Sequence, residues 1–118
     1  MQHAVLEALE NAPDYPEEMC SEFKARRDLI CKRLNAMPGV SCHVPTGAFY
    51  VFPKVEVFGM NSEEIAMALL EGGVLCSPGT AFGELGEGHL RFAYTIGRDD
   101  IERGMDRVEA VLADLRGD

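Results

Sequence analysis

No run of apolar residues in this chain is longer than a few positions, so no segment of it predicts a membrane-spanning helix. Basic residues are scarce: 11 Lys and Arg stand against 20 Asp and Glu, and the net charge is −9. That balance argues against nucleic acid and against an anionic membrane surface as partners. The opening stretch, Met1-Gln2-His3-Ala4-Val5-Leu6-Glu7, has neither a basic region nor a long apolar core. It is not read as a secretory signal. There is no internal repeat and no low-complexity tract.

Cysteine and histidine are sparse as well. Cys20, Cys31, Cys42 and Cys76 are spaced by 11, 11 and 34 residues, and none falls in a C-x-x-C zinc pattern. His3, His43 and His89 form no pair at helical ligand spacing, so no metal site is expected. The four cysteines are read as reduced thiols packed as small hydrophobes, which fits a cytoplasmic protein. No base can be placed beside any of them to make a nucleophile. Ser77-Pro78-Gly79-Thr80 lacks the Lys-Ser/Thr ending of a P-loop and the triple glycine of a dinucleotide loop.

What remains is one modest domain. At 118 residues and 47% apolar composition the chain can bury a core. Residues 2–9 read as the last turns of a helix, stopped near Pro13. Pro16 can start a second helix, with Glu17 and Glu18 favourable in its first turn. Met19, Phe23, Ile30, Leu34 and Met37 give it one apolar stripe, and Arg26, Arg27, Lys32 and Arg33 a solvated polar side. Pro38-Gly39 ends it. Strands are expected over roughly Val40–Val44, Ala48–Phe52 and Val74–Cys76, with Gly47 allowing the chain to turn. Asn61 and Glu64 stand in a capping-box relation ahead of a short helix that Gly72-Gly73 stops. A final helix begins near Asp99, with Ile101, Met105, Val108, Leu112 and Leu115 on one face. Asp99-Asp100 is explained by the helix N-terminus rather than by catalysis. The architecture expected is α+β: a small sheet of three or four short strands covered on one face by helices.

The chemistry-bearing residue is Arg91, the lone cation in His89-Leu90-Arg91-Phe92-Ala93-Tyr94-Thr95. In a strand, Leu90, Phe92 and Tyr94 face a core, while His89, Arg91, Ala93 and Thr95 face the other way. An Arg among small neighbours leaves its guanidinium open to a carboxylate or phosphate. A solvated Arg on an exposed face is the alternative.

Three segments occur in order: Pro45-Thr46-Gly47-Ala48-Phe49-Tyr50, then Val74-Leu75-Cys76-Ser77-Pro78-Gly79-Thr80-Ala81-Phe82-Gly83, then Gly88-His89-Leu90-Arg91-Phe92-Ala93-Tyr94. Together they resemble the C-terminal part of class I/II aminotransferases, the pyridoxal-phosphate enzymes related to aspartate aminotransferase. The resemblance covers essentially the whole chain. It implies that residues 15–118 are the small C-terminal domain of a fold-type I enzyme, and that residues 1–14 are a remnant of a helix of a larger, missing domain. It implies that Arg91 grips the substrate α-carboxylate, and it places Phe49 near the mouth of the active site. A core or interdomain phenylalanine is the alternative for Phe49. It further implies an amino-acid or 2-oxo-acid substrate and a homodimeric parent.

Aminotransfer needs a lysine that holds the cofactor covalently, a phosphate cradle, and a carboxylate for the pyridine nitrogen. The only lysines are Lys24, Lys32 and Lys54, and none stands in the Ser-x-x-Lys setting of the family. No catalytic or cofactor-binding residue is therefore expected in this chain, and pyridoxal phosphate is expected in the parent alone. Two other functions fit the residues: a non-catalytic acidic interaction module, and the same domain of a related pyridoxal-phosphate lyase.

Overall fold

The computed structural model describes residues 1–117, so the last position of the expected 15–118 domain lies outside the described residues. Among the described residues there are four helices: α1 (Gln2–Asn11), α2 (Tyr15–Asn35), α3 (Ser62–Glu71) and α4 (Arg98–Arg116). Five very short strands accompany them: β1 (Val40–Ser41), β2 (Tyr50–Val51), β3 (Lys54–Val55), β4 (Ser77–Pro78) and β5 (Leu90–Ala93). The α+β expectation holds, with the strands divided between two sheets.

β1 pairs antiparallel with β3, setting Val40 opposite Val55. β5 is the centre of the other sheet, flanked antiparallel by β2 and β4. The Val40 and Ala48 strands do not pair with each other. Each finds a later partner, because Pro45 to Gly47 form an open connection rather than a tight hairpin. The expected Val74–Cys76 strand shifts to Ser77–Pro78. The Val74 N–H is taken by the Leu69 carbonyl at the end of α3, so pairing starts later. Pro78 has no N–H to give a second neighbour, and β4 is accordingly an edge strand.

Local chemistry explains the helices. The Asn61 side chain accepts from the Glu64 N–H at 3.0 Å, and Glu64 accepts from the Asn61 N–H at 2.8 Å, a complete capping box. Ile101, Met105, Val108 and Leu112 of α4 are buried as the stripe predicts. They meet Ile30 and Leu34 of α2, Ile65 and Leu69 of α3, and Val51, Leu90, Phe92 and Tyr94 of the sheet. Leu34 and Leu112 are each 1% exposed, and burial of such a side chain stabilises by about 1.5–3 kcal/mol.

Two expectations for α2 change. Ile30, Leu34 and Met37 are buried, but Met19 stays exposed and Phe23 half-buried, because the N-terminal half of α2 runs along an open groove. Its basic side is not simply solvated either. Arg33 donates to Glu102, to Asp106 at 2.6 Å and to Glu109 at 3.5 Å, tying α2 to the acidic side of α4. α1 buries none of its residues, and Val5, Leu6 and Leu9 are exposed. No helix among the described residues is long and apolar enough to cross a membrane.

Candidate functional site

The site is built on the outward face of the β2–β5–β4 sheet. Strand alternation sends Leu90, Phe92 and Tyr94 into the core, all at most 4% exposed. Arg91 emerges on the other face, opposite Ser77 of β4. Tyr50, paired with Ala93, shares that face from β2. The space above the guanidinium is not empty. The Arg91 guanidinium carbon lies 4.4 Å from the centroid of the Tyr50 ring and 4.4 Å from that of Phe82. One ring comes from each flank of the central strand.

Phe82 ends a 3-10 turn, Gly79–Phe82, that follows β4 directly. A second turn, Glu84–Gly86, packs backbone to backbone against it. A Cβ built on Gly79 would meet the Gly86 carbonyl oxygen at 2.0 Å, so only glycine allows this approach. The Gly79 N–H donates to the His89 carbonyl at 2.7 Å, locking the turn to the strand that carries Arg91. Phe52 sets its ring edge-on to Phe82 at 6.2 Å and stacks on His89 at 5.1 Å.

Phe49 reaches this cluster through Tyr50, with ring centroids 4.5 Å apart. It is 40% exposed and lies 6.4 Å from Phe23. It also lines an apolar groove of about 410 Å³ between α2 and the 45–49 connection, with Met19, Phe23 and Tyr94. The turn before it is not made where the sequence suggests. Gly47 keeps an ordinary backbone, and Ala48 takes the left-handed conformation at φ 60°. The Tyr94 N–H and hydroxyl, each at 2.9 Å from Phe49 and Ala48 carbonyls respectively, hold the backbone there.

The electrostatics single out Arg91. Of the eight arginines, seven donate hydrogen bonds within the chain: Arg26 and Arg98 to Glu22, Arg27 to Asp28, Arg33 to the α4 acids, Arg103 to Asp100, Arg107 to the Gly73 carbonyl and Arg116 to the Glu56 carbonyl. Arg91 has no such partner among the described residues, in a chain with 20 acids. Its donors are unspent. A fork of this kind binds a carboxylate through paired N–H groups.

Other reactive side chains offer no alternative centre. Cys31 and Cys42 lie buried with their sulfurs 3.9 Å apart, and burial pushes Cys42 up to about 12 and Cys76 up to about 11. Such thiols stay protonated near neutrality and are poor nucleophiles. No group of three or more His, Cys, Asp or Glu side chains is placed to hold a metal ion among the described residues.

Sequence patterning points to Arg91 and Phe49 as candidates and does not single out Tyr50 and Phe82 as the rings around the guanidinium. Tyr50 could be found from strand parity. Phe82 lies in a turn without periodicity and comes into place only through the Gly79–Gly86 contact.

No family model matches the chain. Individual proteins do. It is 42% identical over 115 residues to an aspartate aminotransferase of Pyrococcus horikoshii, covering 95% of this chain and 29% of that protein. It is 41% identical over 116 residues to a probable N-acetyl-LL-diaminopimelate aminotransferase of Bacillus subtilis, covering 98% of this chain and 29% of that protein. Among solved structures, an alanine aminotransferase from Pyrococcus furiosus superposes with a TM-score of 0.89 at 40% identity, over 96% of this chain and 29% of that one. The chain thus spans just under a third of the length of the curated relatives it matches.

Proposed function

We infer that this chain, which corresponds to one segment of fold-type I aminotransferases of the aspartate aminotransferase type, is the substrate-clamping small domain of such an enzyme. The parent moves an amino group between an α-amino acid and a 2-oxo acid. The observation that carries this reading is Arg91, the arginine with no hydrogen-bond partner among the described residues, held between two aromatic rings on an outward sheet face. Its fork binds the α-carboxylate and so positions the rest of the substrate. Phe49 lies beside it as part of the site's mouth. Closure of the domain over the substrate excludes water and completes the site.

Residues 15–118 form this domain, and residues 1–14 end a helix of the larger one. The exposed Val5, Leu6 and Leu9 of α1 support that division, since nothing among the described residues covers them. The parent is a cytoplasmic homodimer.

The described residues do not fit pyridoxal phosphate. Lys24 and Lys32 point to solvent from α2, and Lys54 pairs with Glu56 at 2.6 Å. None of them joins a carboxylate and a phosphate cradle in one place. The cofactor, which supplies the electron sink for the reaction, belongs to the rest of the parent. The chain alone is accordingly inactive. Incubation with pyridoxal phosphate followed by borohydride should label no lysine stoichiometrically, and no transamination should be measurable. Stoichiometric labelling of one lysine, or turnover, would overturn this part of the reading.

A further inference from the structure

We propose that Tyr50 and Phe82 are positioning residues of the Arg91 anion site: their rings hold the guanidinium in its binding pose while giving it no acceptor to spend its donors on. The inference rests on the reading of Arg91 as a carboxylate clamp. It adds what makes that clamp ready before the ligand arrives.

Apart from a backbone carbonyl, which Arg107 and Arg116 find, an arginine side chain in a chain this acidic has two ordinary fates. It pairs with an acid, as Arg33 and Arg98 do, or it samples many rotamers in water. Either state must be undone before an external carboxylate can bind. The two rings prevent both. Each stands 4.4 Å from the guanidinium carbon, and cation–π attraction holds the charge without consuming an N–H. The rings are themselves braced. Phe49 packs on Tyr50 at 4.5 Å, and Phe52 packs edge-on to Phe82 at 6.2 Å. The Gly79–Gly86 backbone contact fixes the turn that delivers Phe82. Three separate pieces of chain, β2, β5 and the turn after β4, therefore converge on one side chain that the described residues leave without a hydrogen-bond partner.

The test is nuclear magnetic resonance of the full 118-residue chain, with acetate as the probe and chloride at equal ionic strength as the control. The Arg91 Nε–H reports on both questions: its ring-current shift records the clamp, and its response to acetate records binding. Phe82→Leu and Tyr50→Leu should each abolish part of the ring-current shift and weaken acetate binding about fivefold. Phe82→Tyr and Tyr50→Phe keep a ring and should restore both. Leucine variants that lose the ring-current shift yet keep wild-type acetate affinity would overturn the positioning role and leave the Arg91 clamp standing. A wild-type Arg91 signal indifferent to acetate would overturn the clamp, and the positioning role with it. If Phe82→Leu loses the dispersed amide spectrum of a folded chain, Tyr50→Leu on the opposite flank decides alone.

Discussion

The Tyr94 hydroxyl donates to the Ala48 carbonyl oxygen at 2.9 Å, tying a core residue to the one non-glycine position among the described residues with a left-handed backbone. Tyr94 is 1% exposed, and burial pushes its phenol above the usual range. An alanine at φ 60° is strained, and this bond is among those that hold it. Phe49 follows directly, so the bond reaches the residue that lines the apolar groove beside Tyr50. Tyr94→Phe keeps the ring and removes the bond. It should lower the unfolding free energy by about 1 kcal/mol, read from urea denaturation. An unchanged midpoint and slope would show that the bond contributes nothing.

The acidic limb of stability should depend on Glu87. The Ser62 N–H and hydroxyl donate to its two carboxylate oxygens at 2.9 Å each. The backbone bond, then the hydroxyl bond, holds this carboxyl below its usual range. A depressed folded value means that the contribution is fully present above the unfolded value of about 4.3. It is lost as pH falls through the folded value. Glu22, lowered chiefly by Arg98, and Glu56, lowered chiefly by Lys54, act in the same direction. Glu87→Gln should therefore be less stable than wild type at neutral pH. Its stability should also fall less steeply between about pH 5 and pH 3. Parallel denaturation profiles for the two chains would contradict this.

Thiol reactivity separates the four cysteines. Cys20 is exposed on α2, Cys31 and Cys42 are buried, and Cys76 is half-buried. Burial raises the last three, Cys42 to about 12 and Cys76 to about 11. A thiol reagent near pH 8 should modify one residue quickly, Cys20, and the other three slowly until the chain unfolds. Fast modification of Cys31 or Cys42 in the native chain, mapped by mass spectrometry, would show that the core between α2 and the β1 end opens readily.

The parts of this fold that local rules govern are legible in the sequence. Asn61 and Glu64 announce a capping box three residues apart. The spacing of Ile101, Met105, Val108 and Leu112 gives the buried face of α4. Alternation along Leu90 to Tyr94 places Arg91 outward. Long-range choices are less legible. Nothing local says that Val40 pairs with Val55 rather than with the strand after Gly47. Nor does the sequence show that Arg33 leaves solvent for three acids on α4, about seventy positions away. Phe82 is the clearest case. Its role depends on two turns touching through glycine backbones, a contact without any periodicity. Ala48 misleads for the opposite reason: the neighbouring Gly47 advertises a turn that tertiary bonds impose one residue later.

The most direct measurement on Arg91 is the kinetics of Arg91→Lys in the proposed aminotransferase parent. Lysine keeps the charge and loses the planar fork. If Arg91 clamps the α-carboxylate, kcat/KM falls about 100-fold or more, equivalent to roughly 2.7 kcal/mol of transition-state stabilisation. The loss should be similar for every amino-acid substrate, because all present the same α-carboxylate. A loss confined to one substrate would make Arg91 a side-chain reader, and no loss at all would make it merely structural; either result contradicts the account.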